Sequence, residues 1–490
     1  MIALAKMLAL AKRSFGAIVT DNAKNAAHPI VKRRYEATSK GTRTKNWIAP
    51  ATDANAAIND PVILRNRARD LVRNNPWAAK AVSVIVNNII GSGIVPKFSA
   101  ENPATVEHAN KLWKQWANTT QCDAAGLTDF SGIQQLVMRA VVESGECFVR
   151  MRPRLPSDGL AVPMQLQVLE ADFLCKHNDG ALRNGNVVQN GIEYDAVGRR
   201  VAYYLYRVHP GGQVFNLQNN FGYSRVSAEE VIHVFRQDRP NQEIGASWLA
   251  PIIIGLRELS IYEDAYLNRQ KIANLFAAFI KTENPDDIQE EFSTMDELTS
   301  GAMYLMRPGM DMQCSTPPKA DDFGPYTLAV LRAIAAGLNI TYESLTGDLS
   351  QVNFSSARMG WQEFGRSVDS WRWQLFIPRF CARVAVWFSQ SADLKDLKAD
   401  WTPPARIMVD PAREIPAIKE AVRSGLMTIP EAMREQGYDP DQQLAEIAEF
   451  NQKLDALGIA LDSDARRPAN GAAQPTQETQ SNDSTPKTTN

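Results

Sequence analysis

The chain has 490 residues, 44% hydrophobic and 22% charged, which is enough to bury a large core in two to four structural units and too apolar for generic disorder. A net charge of -2 argues against a dedicated nucleic-acid clamp. The charge is uneven, however: residues 1–97 hold 16 Lys+Arg against 5 Asp+Glu, and residues 281–323 hold 3 against 10. Such polarity reads either as solvated surface or as two faces that meet different partners.

Cys122, Cys147, Cys175, Cys314 and Cys381 are odd in number and form no CxxC pair, so they are expected to be buried free thiols and not a zinc site or disulfide framework. The opening "MIALAKMLALAKR" is interrupted by Lys6 and Lys12 and reads as a frayed or amphipathic arm. No window reaches the roughly 20 apolar residues that span a bilayer.

Next, "NDPVILRNRARDLVRNNPWAAKAVSVIVNNIIGSG" predicts two helices. Asn75 should cap the second, Pro76 take its first position and Gly91 stop it. Arg65, Arg67, Arg69 and Arg73 crowd the first helix, while the second is apolar almost all round and should be buried. A further helical stretch carries Trp113 and Trp116. From about 145 to 240 the period becomes two, in "ECFVRMRP", "PMQLQVLEADFL", "GIEYDAVGRRVAYYLYRVHPGG" and "VSAEEVIHVF". A β-rich unit is predicted there, with a hairpin turn at Asp195 to Gly198 and a strand ended by Pro210-Gly211-Gly212.

Helical spacing returns in Ile252, Leu256, Leu259, Tyr262 and Tyr266, predicting a long helix to about Phe276. An acidic helix near Pro285 to Glu297 and a strand-like "AMYLMRPGMDMQC" follow. A helix from Pro325 then carries Leu328, Leu331, Ala335 and Leu338. Between Leu338 and the helix expected from Ala357 lies a small, polar and almost uncharged stretch, Gly347 to Ser356. Beyond it, Trp361, Phe364, Val368, Trp371 and Leu375 form an aromatic stripe interrupted at Pro378, which predicts a kinked, deeply packed helix. Helices are expected over Ala412 to Ser424 and Pro430 to about Leu457. The Thr/Gln/Asn/Pro/Ser-rich tail from Ser463 is expected to be disordered.

No enzymatic constellation stands out: GxxxxGK[ST], HExxH and GxSxG are absent from the sequence. His28, His108, His177, His209 and His233 are scattered and read as structural or exposed. "GSG" at 91–93 follows a helix and terminates it, which is not the arrangement of a phosphate cradle. Asp286, Asp287, Glu290 and Glu291 have the chemistry to ligate Mg²⁺, but adjacent acids on a helix are ordinarily solvated. No catalytic residue, metal or cofactor is expected.

Five collinear blocks, "LRNRARDLVRNNPWAAKAVSVIVNNIIGSGI", "GIEYDAVGRRVAYYLYRVHP", "VSAEEVIHVFRQDRPNQ", "YESLTGDLSQVNFSSAR" and "VDPAREIPAIKEAVRSGLMTIPEAMREQGYDP", resemble the lambda-type portal proteins of tailed phages. The likeness covers about residues 30 to 460. One departure is Ile244, where that family commonly carries an arginine.

The resemblance implies an α+β portal architecture and a non-enzymatic ring, typically of twelve subunits, at one capsid vertex. Double-stranded DNA would pass through the ring in packaging and ejection. It implies a basic arm (1–46), a wing of helices and β-rich unit (47–246), a first stem helix (247–280), a small α/β clip (281–324) and a second stem helix (325–340). A tunnel loop with the long wing helix (341–390), a helical crown (391–462) and the tail (463–490) follow. Gly347, Asp348, Ser350, Gln351, Asn353, Ser355 and Ser356 become candidates to touch DNA in passing, since a loop without Lys or Arg binds phosphates weakly. Asp286, Asp287, Glu290 and Glu291 become a candidate docking surface on the clip. Ile252, Leu256, Leu259, Tyr262, Tyr266, Leu328, Leu331 and Leu338 become candidates for packing between subunits. Implied partners are further copies of the chain, DNA, the terminase large subunit, a head-completion or adaptor protein, and the major capsid and scaffold proteins. No membrane is implied; the setting is the virion, and the host cytoplasm during assembly. The competing readings are another head or adaptor protein without a channel, and a metal-dependent DNA-processing enzyme.

Overall fold

The computed structural model describes residues 45–58, 60–176, 179–212, 222–274, 278–282, 310–314, 323–405 and 410–459, with single residues at 42, 408, 461 and 466. The predicted arm before residue 42, the acidic helix with Asp286, Asp287, Glu290 and Glu291, the histidines His28 and His177, and nearly all of the tail lie outside them. The chain divides into two units, Met1–Ala57 and Ile58–Asn490. In the first, Asp53 accepts the Ala56 amide at 2.6 Å. The second holds the sheets and the long helices.

Local capping explains how the second unit begins. Asp60 accepts the Val62 and Ile63 amides, both at 3.0 Å, with Pro61 at the first position of helix α1 (Pro61–Asn74). Asn75 then caps α2 (Pro76–Ile89) through the Ala78 amide at 3.0 Å, as its sequence predicts. Strand β1 (Val95–Ser99), α3 (Pro103–Ala117) and α4 (Phe130–Ser144) follow. α2 is buried along most of its length and belongs to the main core, together with α3, α4 and the long helix described below.

The β-rich unit comprises two antiparallel sheets. The first has the order β3-β2-β9, from Met164–Glu170, Glu146–Pro153 and Val231–Phe235. The second is a meander, β4 to β8, running from Gly180–Ala181 through Val187–Gln189, Ile192–Tyr194 and Arg200–Tyr206 to Tyr223–Ser227. The Asp195–Gly198 turn forms as expected: the Gly198 amide donates to the Asp195 carbonyl at 3.0 Å. The stretch "VSAEEVIHVF" is not one strand. A 3-10 turn at Ala228–Glu230, capped by Ser227, carries the chain from one sheet to the other.

Helix α5 (Ile253–Asn274) and α6 (Phe323–Gly337) flank a two-stranded antiparallel sheet, β10 (Ala278–Thr282) with β11 (Met310–Cys314). A short helix α7 (Tyr342–Thr346) precedes the long one. From Phe354 to Ser391 the chain is continuously helical: α8 (Phe354–Ser370), a π-helical segment (Trp371–Cys381) containing Pro378, and α9 (Ala382–Ser391). The expected kink takes this form because proline has no amide to donate, and a widened turn re-pairs the backbone around it: the Ala382 amide donates five residues back, to Ile377.

Strand β12 (Lys398–Thr402) then returns to pair antiparallel with β1, Val95 opposite Thr402. A boundary at 391 therefore separates two strands of one sheet. The helix predicted from Pro430 to Leu457 is two, α11 (Ile429–Glu435) and α12 (Pro440–Leu457), after α10 (Pro411–Arg423). The break is at Gly437, whose φ of +77° is left-handed.

Phe98, Trp113, Trp116, Phe130, Phe388 and Trp401 close the core as one aromatic cluster between β1, α3, α4, α9 and β12. Cys122, Cys147, Cys175 and Cys381 are buried and unbridged, and burial pushes the Cys122 thiol up to about 12.

Candidate functional site

The α5–α6 pair starts from the apolar spacing read in the sequence. Ile252, Leu256 and Leu259 pack with Leu331 and Leu338, and all five are at most 4% exposed. Gly337 permits the close approach, because a Cβ there would stand 2.7 Å from Ile252 Cγ2. The core of the same chain covers these five. The outer residues differ. Leu328, Tyr262 and Tyr266 are half-buried, and the two tyrosines stack on Phe323 at 5.8 and 4.3 Å between centroids. Ile254, Ile261 and Leu267 of α5 are 63%, 50% and 55% exposed.

The stretch Gly347 to Ser356 is shorter as a loop than its composition suggests. Asn353 accepts the Ser356 amide at 2.8 Å and its own amide meets Ser356 Oγ at 3.3 Å, a reciprocal cap that starts α8 at Phe354. Asn353, Ser355 and Ser356 therefore belong to a helix start, and the irregular part is 347–352. Asn is a favoured N-cap residue, but Ser356 stands where a Glu or Gln ordinarily completes the sequence signature of such a cap. At the other end Gly347, with φ of +73°, closes α7 by donating its amide to the Glu343 carbonyl at 2.7 Å.

Between the caps Gly347, Asp348, Leu349, Ser350 and Gln351 are exposed. Asp348 accepts the Ser350 amide at 3.0 Å and the Tyr342 hydroxyl at 3.2 Å, while its own amide donates to Thr346 Oγ1 at 3.1 Å. The bonds from Ser350 and then from Tyr342 hold its carboxyl below the ordinary aspartate range. The loop thus presents one fixed negative charge and no positive one.

The helices on both sides of the loop pack against α2. Leu345 of α7 is 1% exposed within the main core. On the other side, Arg372 of the π segment donates to the Ile89 and Asn88 carbonyls at 2.7 and 2.8 Å and to Pro404 at 3.3 Å. The last carbonyls of a helix have no partner within it and carry the negative end of its dipole. A buried guanidinium satisfies them without any carboxylate, and burial lowers its pKa to about 10.

A second polar centre lies in the β-rich unit. Glu146, 3% exposed, accepts His233 Nε2 at 2.9 Å and the Gly245 amide at 2.9 Å, with Arg65 at 3.9 Å. Burial pushes its carboxyl up, but His233, Gly245 and Arg65 together pull it below the ordinary value. Burial and the nearby Arg200 and Arg379 keep His233 neutral in spite of Glu146. A carboxylate only accepts, so the imidazole proton sits on Nε2 and Nδ1 faces Arg200 Nη1 at 3.3 Å. Gly145, at φ +94°, and Gly245 cross so closely that neither tolerates a Cβ, and the crossing delivers the Gly245 amide to Glu146. Ile244, the departure from the family pattern, is buried beside them at 2% exposure.

Glu170, Asp172 and His209 bring ligand atoms within 4.8 Å of one another. Arg69 already reaches the two carboxylates at 3.0 and 2.8 Å and Arg65 reaches Asp172 at 3.3 Å, so guanidiniums hold the place a cation would take. From the sequence alone these arginines read only as a crowded helix face. Their partners lie about a hundred residues away, and no local pattern shows them.

The family model described as "Phage portal protein, lambda family" matches residues 40–372. A probable portal protein of Halomonas phage phiHAP-1 is 26% identical over 88% of this chain and 88% of its own. Portal protein B of Escherichia phage lambda is 22% identical over 86% and 89%. Among solved structures, a chain from the virion of a native gene transfer agent particle is similar with a TM-score of 0.47, 16% identity and coverage of 78% and 94%. An HK97 family phage portal protein from Corynebacterium diphtheriae has a TM-score of 0.35 at 11% identity, over 69% and 95%.

The chain belongs to the lambda family of phage portal proteins. Its function is that of a portal protein, a structural component of the phage particle, on an α+β fold. The match ends at residue 372, within the π segment and beyond the capped loop.

Proposed function

We propose that copies of this chain assemble into a ring, typically of twelve, around a channel at one capsid vertex, and that double-stranded DNA slides past Gly347–Val352 during packaging and ejection. The observation that carries this reading is the loop itself: an exposed tip with one oriented carboxylate and no cation, clamped by helix caps at both ends. Each phosphate neutralised by a cation adds affinity that must be broken at every step, so a tip lacking cations suits passage and not retention. Ile254, Ile261 and Leu267, exposed on α5, together with the half-buried Leu328, Tyr262 and Tyr266, would meet the neighbouring subunit. The acidic segment 281–323 would repel DNA and offer a docking face to a basic surface of the terminase large subunit or a head-completion protein. The wing would face the major capsid and scaffold proteins. Assembly would take place in the host cytoplasm.

Negative-stain electron microscopy of the purified full chain tests the ring directly. Centrally perforated rings are expected. Monomers at every protein and salt concentration, or solid particles, would overturn the reading. Reversing Asp286, Asp287, Glu290 and Glu291 to Lys should leave rings intact while terminase capture in a pull-down falls.

A further inference from the structure

On the side of His233 away from Glu146, the surface opens into a cleft of about 380 Å³ between β7, β9 and the end of the π segment. Three guanidiniums line it, those of Arg200, Arg379 and Arg383, and its lining contains no carboxylate. Arg200 is held rigidly: it donates to the Glu243 carbonyl at 3.1 Å, contacts Tyr203 Oη at 3.4 Å and faces the neutral His233. Its guanidinium carbon lies 5.4 Å from the centre of the Phe235 ring, and that of Arg379 lies 4.6 Å from the same ring. Arg379 has one neutral hydrogen-bond partner, Gln237 at 3.3 Å. Arg383 is exposed and forms no ion pair among the described residues.

Elsewhere in this unit arginines meet carboxylates, as Arg65 and Arg69 do with Asp172 and Arg225 does with Glu193. Here they meet one another. After burial, the charge of Arg200 is the next cause that lowers the pKa of Arg379, so the two cations repel across the cleft. Glu146 lies behind the imidazole and is already engaged by His233, Gly245 and Arg65.

We propose that this cleft is a binding site for a phosphate-class oxyanion, with Arg379 and Arg383 as its adjustable ligands and Arg200 as its fixed floor. Planar guanidinium forks match tetrahedral oxyanions, and a multiply charged anion relieves the repulsion among three cations. The anion's source is either free phosphate or a phosphate of a nucleic-acid backbone. The site is separate from the loop and does not depend on the channel reading.

The test is titration of the full chain with inorganic phosphate at constant ionic strength in chloride, followed by calorimetry and thermal unfolding. Wild type should show saturable binding of one phosphate per chain and a midpoint that rises with phosphate. The double variant Arg379→Gln, Arg383→Gln should bind at least about tenfold more weakly, whereas Arg67→Gln, at an exposed position on α1, should match wild type. If the double variant fails to fold, Arg383→Gln alone serves, because that side chain is exposed. A short DNA duplex that competes with phosphate assigns the site to backbone phosphates, and one that does not assigns it to the free ion. A phosphate response no greater than that to chloride, or one unchanged in the folded arginine variant, overturns the proposal.

Discussion

Glu146 and Asp348 are both ionised carboxylates held by hydrogen bonds, and the chain uses them in opposite ways. The bonds to Glu146 come from His233 and Gly245, 87 and 99 residues along the chain, and its surroundings are closed. Those to Asp348 come from Tyr342 and Ser350, six and two residues away, and it faces solvent. Long-range bonding makes the first carboxylate part of what holds the fold together. Local bonding lets the second keep its direction while nothing else depends on it. A translocation channel needs both, a frame that does not yield and a tip that can be altered without disturbing the frame.

The comparison breaks most sharply at Glu146. Glu146→Ala leaves His233, the Gly245 amide and Arg65 without their shared acceptor in a closed site. A loss of about 3–5 kcal/mol is expected in urea unfolding. A loss below about 1 kcal/mol would mean the network is incidental to stability.

Glu193 gives a smaller, pH-dependent effect. It is buried in the five-stranded sheet and accepts Arg225 at 2.6 and 3.1 Å, Asn186 at 2.7 Å and the Tyr204 hydroxyl at 3.2 Å. Chiefly through Arg225, its pKa falls from 4.5 to about 2. A depressed carboxylate stabilises the fold above its unfolded pKa and loses that contribution as pH falls through the folded one. Glu193→Gln should therefore cost about 1–3 kcal/mol at neutral pH. The gap from wild type should close between pH 4.5 and about 2. A pH-independent gap would show that charge is not what matters there.

How much of this was legible follows the same division between local and distant bonding. Asn75, Pro76 and the Asp195–Gly198 turn were readable because each is a bond between neighbours. The pairing of β1 with β12 was not, since Val95 and Thr402 meet across the whole core. Nor was the burial of Arg65, whose carboxylate partners are supplied by other elements. For the loop, sequence located the segment and its lack of cations, but composition overstated its length. Polar residues such as Asn353 and Ser356 form caps as readily as loops, and only the backbone geometry distinguishes the two.

That distinction sharpens the comparison at the loop's edge. Asn353→Lys removes a cap and should cost about 1 kcal/mol by thermal unfolding, whereas Asn353→Asp keeps an acceptor and should be nearly neutral. Equal losses in the two would contradict the capping role.

The smallest effect on stability is expected at the tip. Ser350 and Gln351 are exposed, and the bond to Asp348 uses the amide of Ser350, which a lysine retains. The double variant Ser350→Lys, Gln351→Lys should stay within about 0.5 kcal/mol of wild type and assemble normally. Its consequence lies in transport. Two added cations per subunit, repeated around a ring, form a basic collar that binds phosphates and retards sliding, most strongly at low ionic strength where screening is weakest. DNA packaged per head, measured against salt for both proteins, should fall in the variant at low salt and recover as salt rises. Equal packaging at every salt concentration would leave Gly347–Val352 as a surface connector. A loss of stability in this variant would instead place the tip within the frame, and the contrast with Glu146 would no longer hold.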